Sequence, residues 1–102
     1  MRKTTGEIIA AIKKEETYIR NRYFIMHIDI FGSYAKKEQR PDSDIDILYT
    51  TLPDAAMTLA RLKSIEGYFS MLLDIEKVEM VSRQSINPVI GKNIENYAIS
   101  VF

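Results

Sequence analysis

The run Ile25-Met26-His27-Ile28-Asp29-Ile30-Phe31 ends on Gly32-Ser33, and after ten intervening residues the triplet Asp44-Ile45-Asp46 opens a second apolar run. Few arrangements constrain a small fold as tightly. Two β-branched runs of this length read as strands, and glycine at the end of the first allows a sharp turn that a Cβ would hinder. A serine just after it stands where a following helix would expose free backbone N–H groups, which suit an anion such as a polyphosphate. On the second strand the period of two sends Asp44, Asp46 and Leu48 to one face and Ile45, Ile47 and Tyr49 to the opposite, buried face. Two carboxylates so placed repel each other in water, and their use lies in sharing a hard divalent cation, most plausibly magnesium.

The rest of the chain reads as helices and strands around these two. Thr4 and Glu7 have capping-box spacing, and Ile8, Ile12, Ile19 and Tyr23 recur at helical intervals, predicting a helix from about Thr5 to Arg22. Residues 33–38 suit a short helix, and Arg40-Pro41-Asp42-Ser43 has loop chemistry. Pro53-Asp54 marks a helix start, and the stripe Met57, Leu59, Leu62, Ile65, Phe69, Leu72 and Leu73 carries that helix onward, with Gly67 as its weak point. Lys77-Val78-Glu79-Met80-Val81 alternates as a third strand, with Glu79 facing away from Val78 and Met80. Asn87-Pro88 opens a last helix to about Tyr97, leaving Ile99 to Phe102 as an extended tail. The expected order is α-β-α-β-α-β-α, an α+β or α/β fold with about four helices on a small mixed sheet.

At 102 residues, 46% of them hydrophobic, the chain is expected to fold as one domain spanning 1–102. It has no cysteine, which excludes thiolate metal sites and cysteine nucleophiles, and its one histidine, His27, cannot build a His-rich zinc site. The 14 basic and 14 acidic residues cancel, so no net field draws nucleic acid or an acidic membrane. Neither a signal segment nor a membrane span is apparent, and a cytoplasmic protein is expected. Charge is instead local: Arg20, Arg22, Lys36, Lys37 and Arg40 flank the Gly-Ser turn in sequence, and Asp42, Asp44 and Asp46 follow.

Gly-Ser, ten intervening residues, Asp-x-Asp and a later acidic residue in a Val-acid-hydrophobic-Val strand form the pattern of the minimal nucleotidyltransferases, small members of the DNA polymerase β-like superfamily. The sequence resembles that family over nearly its full length through Gly32-Ser33, Asp44-Ile45-Asp46 and Val78-Glu79-Met80-Val81. The resemblance implies a polymerase β-like nucleotidyltransferase fold. It further implies Gly32 and Ser33 as the nucleotide-binding turn, Asp44, Asp46 and Glu79 as catalytic metal ligands, two Mg2+ ions, and ATP as substrate. Glu79 departs from the family's usual Asp by one methylene. Many family members are antitoxins that transfer AMP to a tyrosine of a HEPN-domain ribonuclease toxin, so the resemblance implies such a toxin as partner, in a hetero-oligomer. The alternatives are a non-catalytic antitoxin that acts by complex formation, for which Glu79 speaks, and an aminoglycoside-type nucleotidyltransferase, against which the short chain speaks.

Overall fold

The computed structural model describes residues 4–40, 43–55 and 57–102. Of the predicted loop, Pro41 and Asp42 lie outside the described residues. Helices α1 (Thr5–Lys14) and α2 (Glu16–Tyr23) precede strand β1 (Ile25–Phe31), the short helix α3 (Gly32–Lys36) and strand β2 (Ile45–Thr51). Helix α4 (Leu59–Leu73), strand β3 (Val78–Ser82), a 3-10 turn (Arg83–Ser85), helix α5 (Pro88–Glu95) and strand β4 (Ile99–Ser100) complete the order. The sheet runs β3-β2-β1-β4, with β2 and β3 parallel and β1 antiparallel to both β2 and β4. This is the mixed sheet expected from the sequence, with five α-helices among the described residues instead of about four.

One face of the sheet carries the core. Ile28 and Ile30 of β1, Ile45, Ile47 and Tyr49 of β2, and Val78 and Met80 of β3 are buried against Ile8 and Ile12 of α1, Ile19 and Tyr23 of α2, and Ile65, Phe69 and Leu73 of α4. A register shift between Ile25 and His27 lets Ile25 also join this face, although strict alternation would have placed it opposite. The other face holds Asp29, Asp46, Leu48 and Glu79, and there α5 stands beside Leu48. Leu48 is itself buried and lines a cavity on this face.

Local signals set most boundaries, and three boundaries differ from expectation. The first helix is interrupted at Glu15, whose φ of −101° and ψ of 14° leave the helical region. The run Lys13-Lys14-Glu15-Glu16 presents no apolar residue to the core, so nothing there holds the helix straight, while Ile19, seven residues after Ile12, remains in phase. The next long helix starts at Leu59, not at Pro53-Asp54, which form a turn; Thr58 is its cap, accepting a hydrogen bond from the Arg61 amide at 3.1 Å. The C-terminal tail is a sheet strand: the Val101 amide donates to the Ile28 carbonyl at 2.8 Å, and the Ile28 amide to the Phe102 carbonyl at 3.1 Å.

Helix α4 runs through Gly67 unbroken, because Ile65, Phe69 and Leu73 bury one stripe and outweigh the glycine's entropic cost. A Cβ at Gly67 would meet no atom within 4 Å. Gly67→Ala is therefore expected to raise stability by about 0.5–1 kcal/mol, measurable by urea unfolding; unchanged or lower stability would show that the helix is not held as described.

Candidate active site

Register brings the sequence-predicted residues together. On one side of β2, antiparallel pairing sets Phe31 opposite Asp46, so the chain leaves β1 and turns at Gly32 directly above that carboxylate. Gly32 has φ +74°, a left-handed conformation, and a Cβ there would lie 3.0 Å from the Asp46 Cγ and closer still to Oδ2. Glycine is thus required both by the backbone and by the carboxylate it faces. Ser33 follows as the second residue of α3. On the other side, parallel pairing sets Glu79 level with Asp46, and because in-register neighbours share a face, their carboxylates stand side by side. Asp44 precedes β2, and its Oδ2 lies 3.6 Å from the Lys77 Nζ.

The electrostatics single out Asp46. Burial, reinforced by the charge of Glu79, a hydrogen bond with the Glu79 side chain and the charge of Asp44, pushes its carboxyl up from an ordinary 3.8 to about 6, and Lys77 offsets this only in part. Asp29, on the same face, is treated differently: Arg83 reaches across from the end of β3 to pair with it and, at 2.7 Å, with Glu95 of α5. A cavity of about 450 Å3 lies beside these groups, walled by Leu48, Ile86 and Pro88 and edged by Arg83, Lys92 and Glu95.

Other expected neighbours are elsewhere. Arg20 bonds Glu16 and the Met26 carbonyl and lies over the Phe102 ring, and Arg22 lies over Tyr23, so both belong to the β1 end opposite the Gly-Ser turn. His27 is exposed on the surface. Lys77 and the Asp29–Arg83–Glu95 bridge were not among the residues singled out in the sequence; their partners lie up to 54 positions away, and no local spacing signals such a pair.

Among the described residues no group of three or more His, Cys, Asp or Glu side chains is gathered closely enough to hold a metal ion. The three carboxylates are nonetheless a chemically suitable donor set. Asp46 and Glu79 are hard oxygen ligands whose mutual repulsion a divalent cation would relieve. Asp44 is engaged only by an ion pair whose side chains are 41% and 70% exposed, a contact worth about 0–1 kcal/mol and easily exchanged for a metal.

The family described as Polymerase beta, Nucleotidyltransferase matches residues 13–102. The chain belongs to this nucleotidyltransferase family. A protein of Methanocaldococcus jannaschii, provisionally named as a protein adenylyltransferase, is 39% identical over 100 residues, spanning 97% of this chain and 99% of that one. A structure described as that of a provisional minimal nucleotidyltransferase superposes with a TM-score of 0.75 at 25% identity, covering 95% of both chains. A chain in the complex of a tri-AMPylated Shewanella oneidensis HEPN toxin with an MNT antitoxin has the same fold, with a TM-score of 0.64 at 16% identity over 92% of this nucleotidyltransferase and 71% of that chain.

Two outcomes follow from this geometry. Gly32→Ala should destabilise the protein by about 1–2 kcal/mol, the usual cost of a left-handed non-glycine residue, with more lost if Asp46 cannot move aside; urea midpoints compare the two proteins. Asp46 binds its proton more tightly folded than unfolded, so its contribution to stability is full below pH 3.8 and is lost as pH rises to about 6. Without added metal, Asp46→Asn should therefore melt higher than wild type above pH 6, by on the order of 1 kcal/mol after solvent screening, and the gap should close toward pH 4. Equal melting temperatures at pH 7.5 would contradict the uncompensated carboxylate pair.

Proposed function

We propose that this nucleotidyltransferase is a protein adenylyltransferase of the antitoxin kind, one domain acting in the cytoplasm, which transfers AMP from ATP to a tyrosine hydroxyl of a HEPN-domain toxin partner. A bond forms between the tyrosine oxygen and the α-phosphorus as the bond to the β-phosphate bridging oxygen breaks, and pyrophosphate leaves. The observation that carries the reading is the seating of Gly32 over Asp46 with Glu79 level beside it: a turn without a side chain faces a carboxylate that has a second carboxylate next to it. In this proposal Gly32 and Ser33 hold the β- and γ-phosphates through backbone N–H groups and the serine hydroxyl, and Asp44, Asp46 and Glu79 are the magnesium ligands. Bound Mg2+, two ions on this reading, would neutralise phosphate charge and lower the pKa of the acceptor hydroxyl. Names of the similar proteins support the reading, since they include protein adenylyltransferases and an MNT antitoxin in complex with an AMPylated HEPN toxin.

A second reading, an antitoxin that neutralises its partner by binding alone, is favoured by the engagement of Asp44 with Lys77 and by the exposure of Glu79. Glu79 separates the two. With the cognate toxin, ATP and magnesium, the wild-type protein should add AMP units to the toxin, seen in its intact mass. Glu79→Gln should abolish the addition while sparing much of the ATP binding, and Glu79→Asp should retain it. No mass shift with the authentic partner would instead establish the binding-only reading. Magnesium-dependent ATP binding should also weaken as pH falls through about 6, where the Asp46 proton competes with the cation; calorimetry at pH 5 and pH 7.5 measures this.

A further inference from the structure

Helix α3 carries Gly32 and Ser33, yet it has only five residues, Gly32–Lys36, too few to be stable by its own hydrogen bonds. Its orientation must come from tertiary contacts. The Tyr34 side chain is buried, 2% exposed, which anchors the helix to the core. A directional contact comes from 29 residues away: the Thr5 hydroxyl donates to the Tyr34 carbonyl at 2.7 Å. That carbonyl has a second donor, the Lys37 amide at 3.3 Å, from the left-handed residue that ends the helix. Thr5 is the shorter of the two bonds, and it is buried.

Thr5 is itself held firmly. It is the first residue of α1, directly after the capping box in which the Thr4 hydroxyl accepts from the Glu7 amide at 3.2 Å and the Glu7 carboxylate accepts from the Thr4 amide at 3.0 Å. Ile8, one turn on, is fully buried in the core. The chain of contacts therefore runs from the core through α1 and Thr5 to the carbonyl of Tyr34, and from there to the Gly32-Ser33 turn above Asp46.

We infer that Thr5 is a positioning residue of the transferase site, its hydroxyl fixing α3 so that the Gly32-Ser33 turn meets the nucleotide phosphates opposite Asp46. This rests on the nucleotide-binding reading of that turn. Only two polar or charged residues are buried among those described, Thr5 and Thr51, and Thr51 supplies the control. It lies at the far end of β2, where its hydroxyl bonds the Gln84 side chain at 3.3 Å. Valine matches threonine in shape at either position and removes only the hydroxyl.

The experiment compares wild type, Thr5→Val, Thr5→Ser and Thr51→Val by calorimetry with ATP and magnesium, by thermal melting, and by amide hydrogen exchange. Thr5→Val should bind ATP more weakly, by up to about tenfold, since binding must then supply the ordering of α3 that one buried hydrogen bond supplied before. Thr5→Ser, which keeps the donor, should restore binding, and Thr51→Val should bind as wild type does even if its melting temperature falls equally. Without ATP, exchange at Lys37 and Glu38, whose amides bond the Tyr34 and Ser33 carbonyls, should be faster in Thr5→Val than in Thr51→Val. Unchanged ATP affinity in Thr5→Val, equal losses in both valine variants, or unchanged exchange at Lys37 and Glu38 would each overturn the positioning role. Failure of the wild-type protein itself to bind ATP would overturn the nucleotide reading of the turn, and this inference with it, even where the exchange data confirm the tether.

Discussion

Everything at the candidate site depends on the register of β2 against its two neighbours. Phe31 opposite Asp46 puts the Gly32 turn over one carboxylate, and Glu79 level with Asp46 puts a second carboxylate beside it. The forces that hold this register act on the other face. Ile30 opposite Ile47, Ile45 beside Val78 and Ile47 beside Met80 are all buried pairs. A slip of one residue would send these side chains to solvent and the acids into the core, at a cost of about 1.5–3 kcal/mol for each exposed isoleucine or valine before any buried charge is counted. The hydrophobic face thus fixes the register of a polar arrangement to which it contributes no atom.

The polar face carries two aspartates on adjacent strands that contrast sharply. Asp29 is bridged by Arg83, a guanidinium that also reaches Glu95 and so ties α5 to the sheet; that carboxylate is already compensated and serves the architecture. The charge that acts most strongly on Asp46 is that of another carboxylate, Glu79, and Lys77 pairs with Asp44. A group held in this state costs the folded protein stability at neutral pH, and such costs are concentrated where a ligand of opposite charge is meant to arrive. Of the acids on this face, Asp46 is the one whose surroundings fit a cation.

What could be read in the sequence was what short-range periodicity encodes. Strand alternation was enough to place Asp46 and Glu79 on the face away from Ile45, Ile47, Val78 and Met80, and Gly32 before Ser33 was enough to place a turn at the end of β1. Helix boundaries were less legible, because competing signals were of similar strength. Pro53-Asp54 is as good a local start as Thr58, and only the packing of Ile65, Phe69 and Leu73 against the sheet selects the latter. Of the basic residues expected near the turn, Arg20 and Arg22 were neighbours in sequence only, because the seven-residue strand β1 carries the chain away from them before it reaches Gly32, whereas Lys36 and Lys37 belong to α3 and its C-terminal end. The Thr5–Tyr34 bond and the Arg83 bridge join residues 29 and 54 positions apart, and nothing in the spacing of either pair announces it.

The order β3-β2-β1-β4 leaves β3 at one edge of the sheet, and Glu79 is exposed on that edge strand while Asp46 lies inboard. On the proposed reading this asymmetry divides the labour of the site. The inboard carboxylate, crowded and partly desolvated beneath the glycine turn, faces the nucleotide phosphates. The edge carboxylate stands where a bulky acceptor can approach without crossing the sheet, so the hydroxyl of a folded protein can reach it. A glutamate in place of aspartate extends the carboxylate by one methylene from that edge, toward the side on which such an acceptor arrives. The longer side chain is then tolerable for a reason that concerns access: an exposed edge position leaves room for the extra methylene, whereas a buried central strand would not.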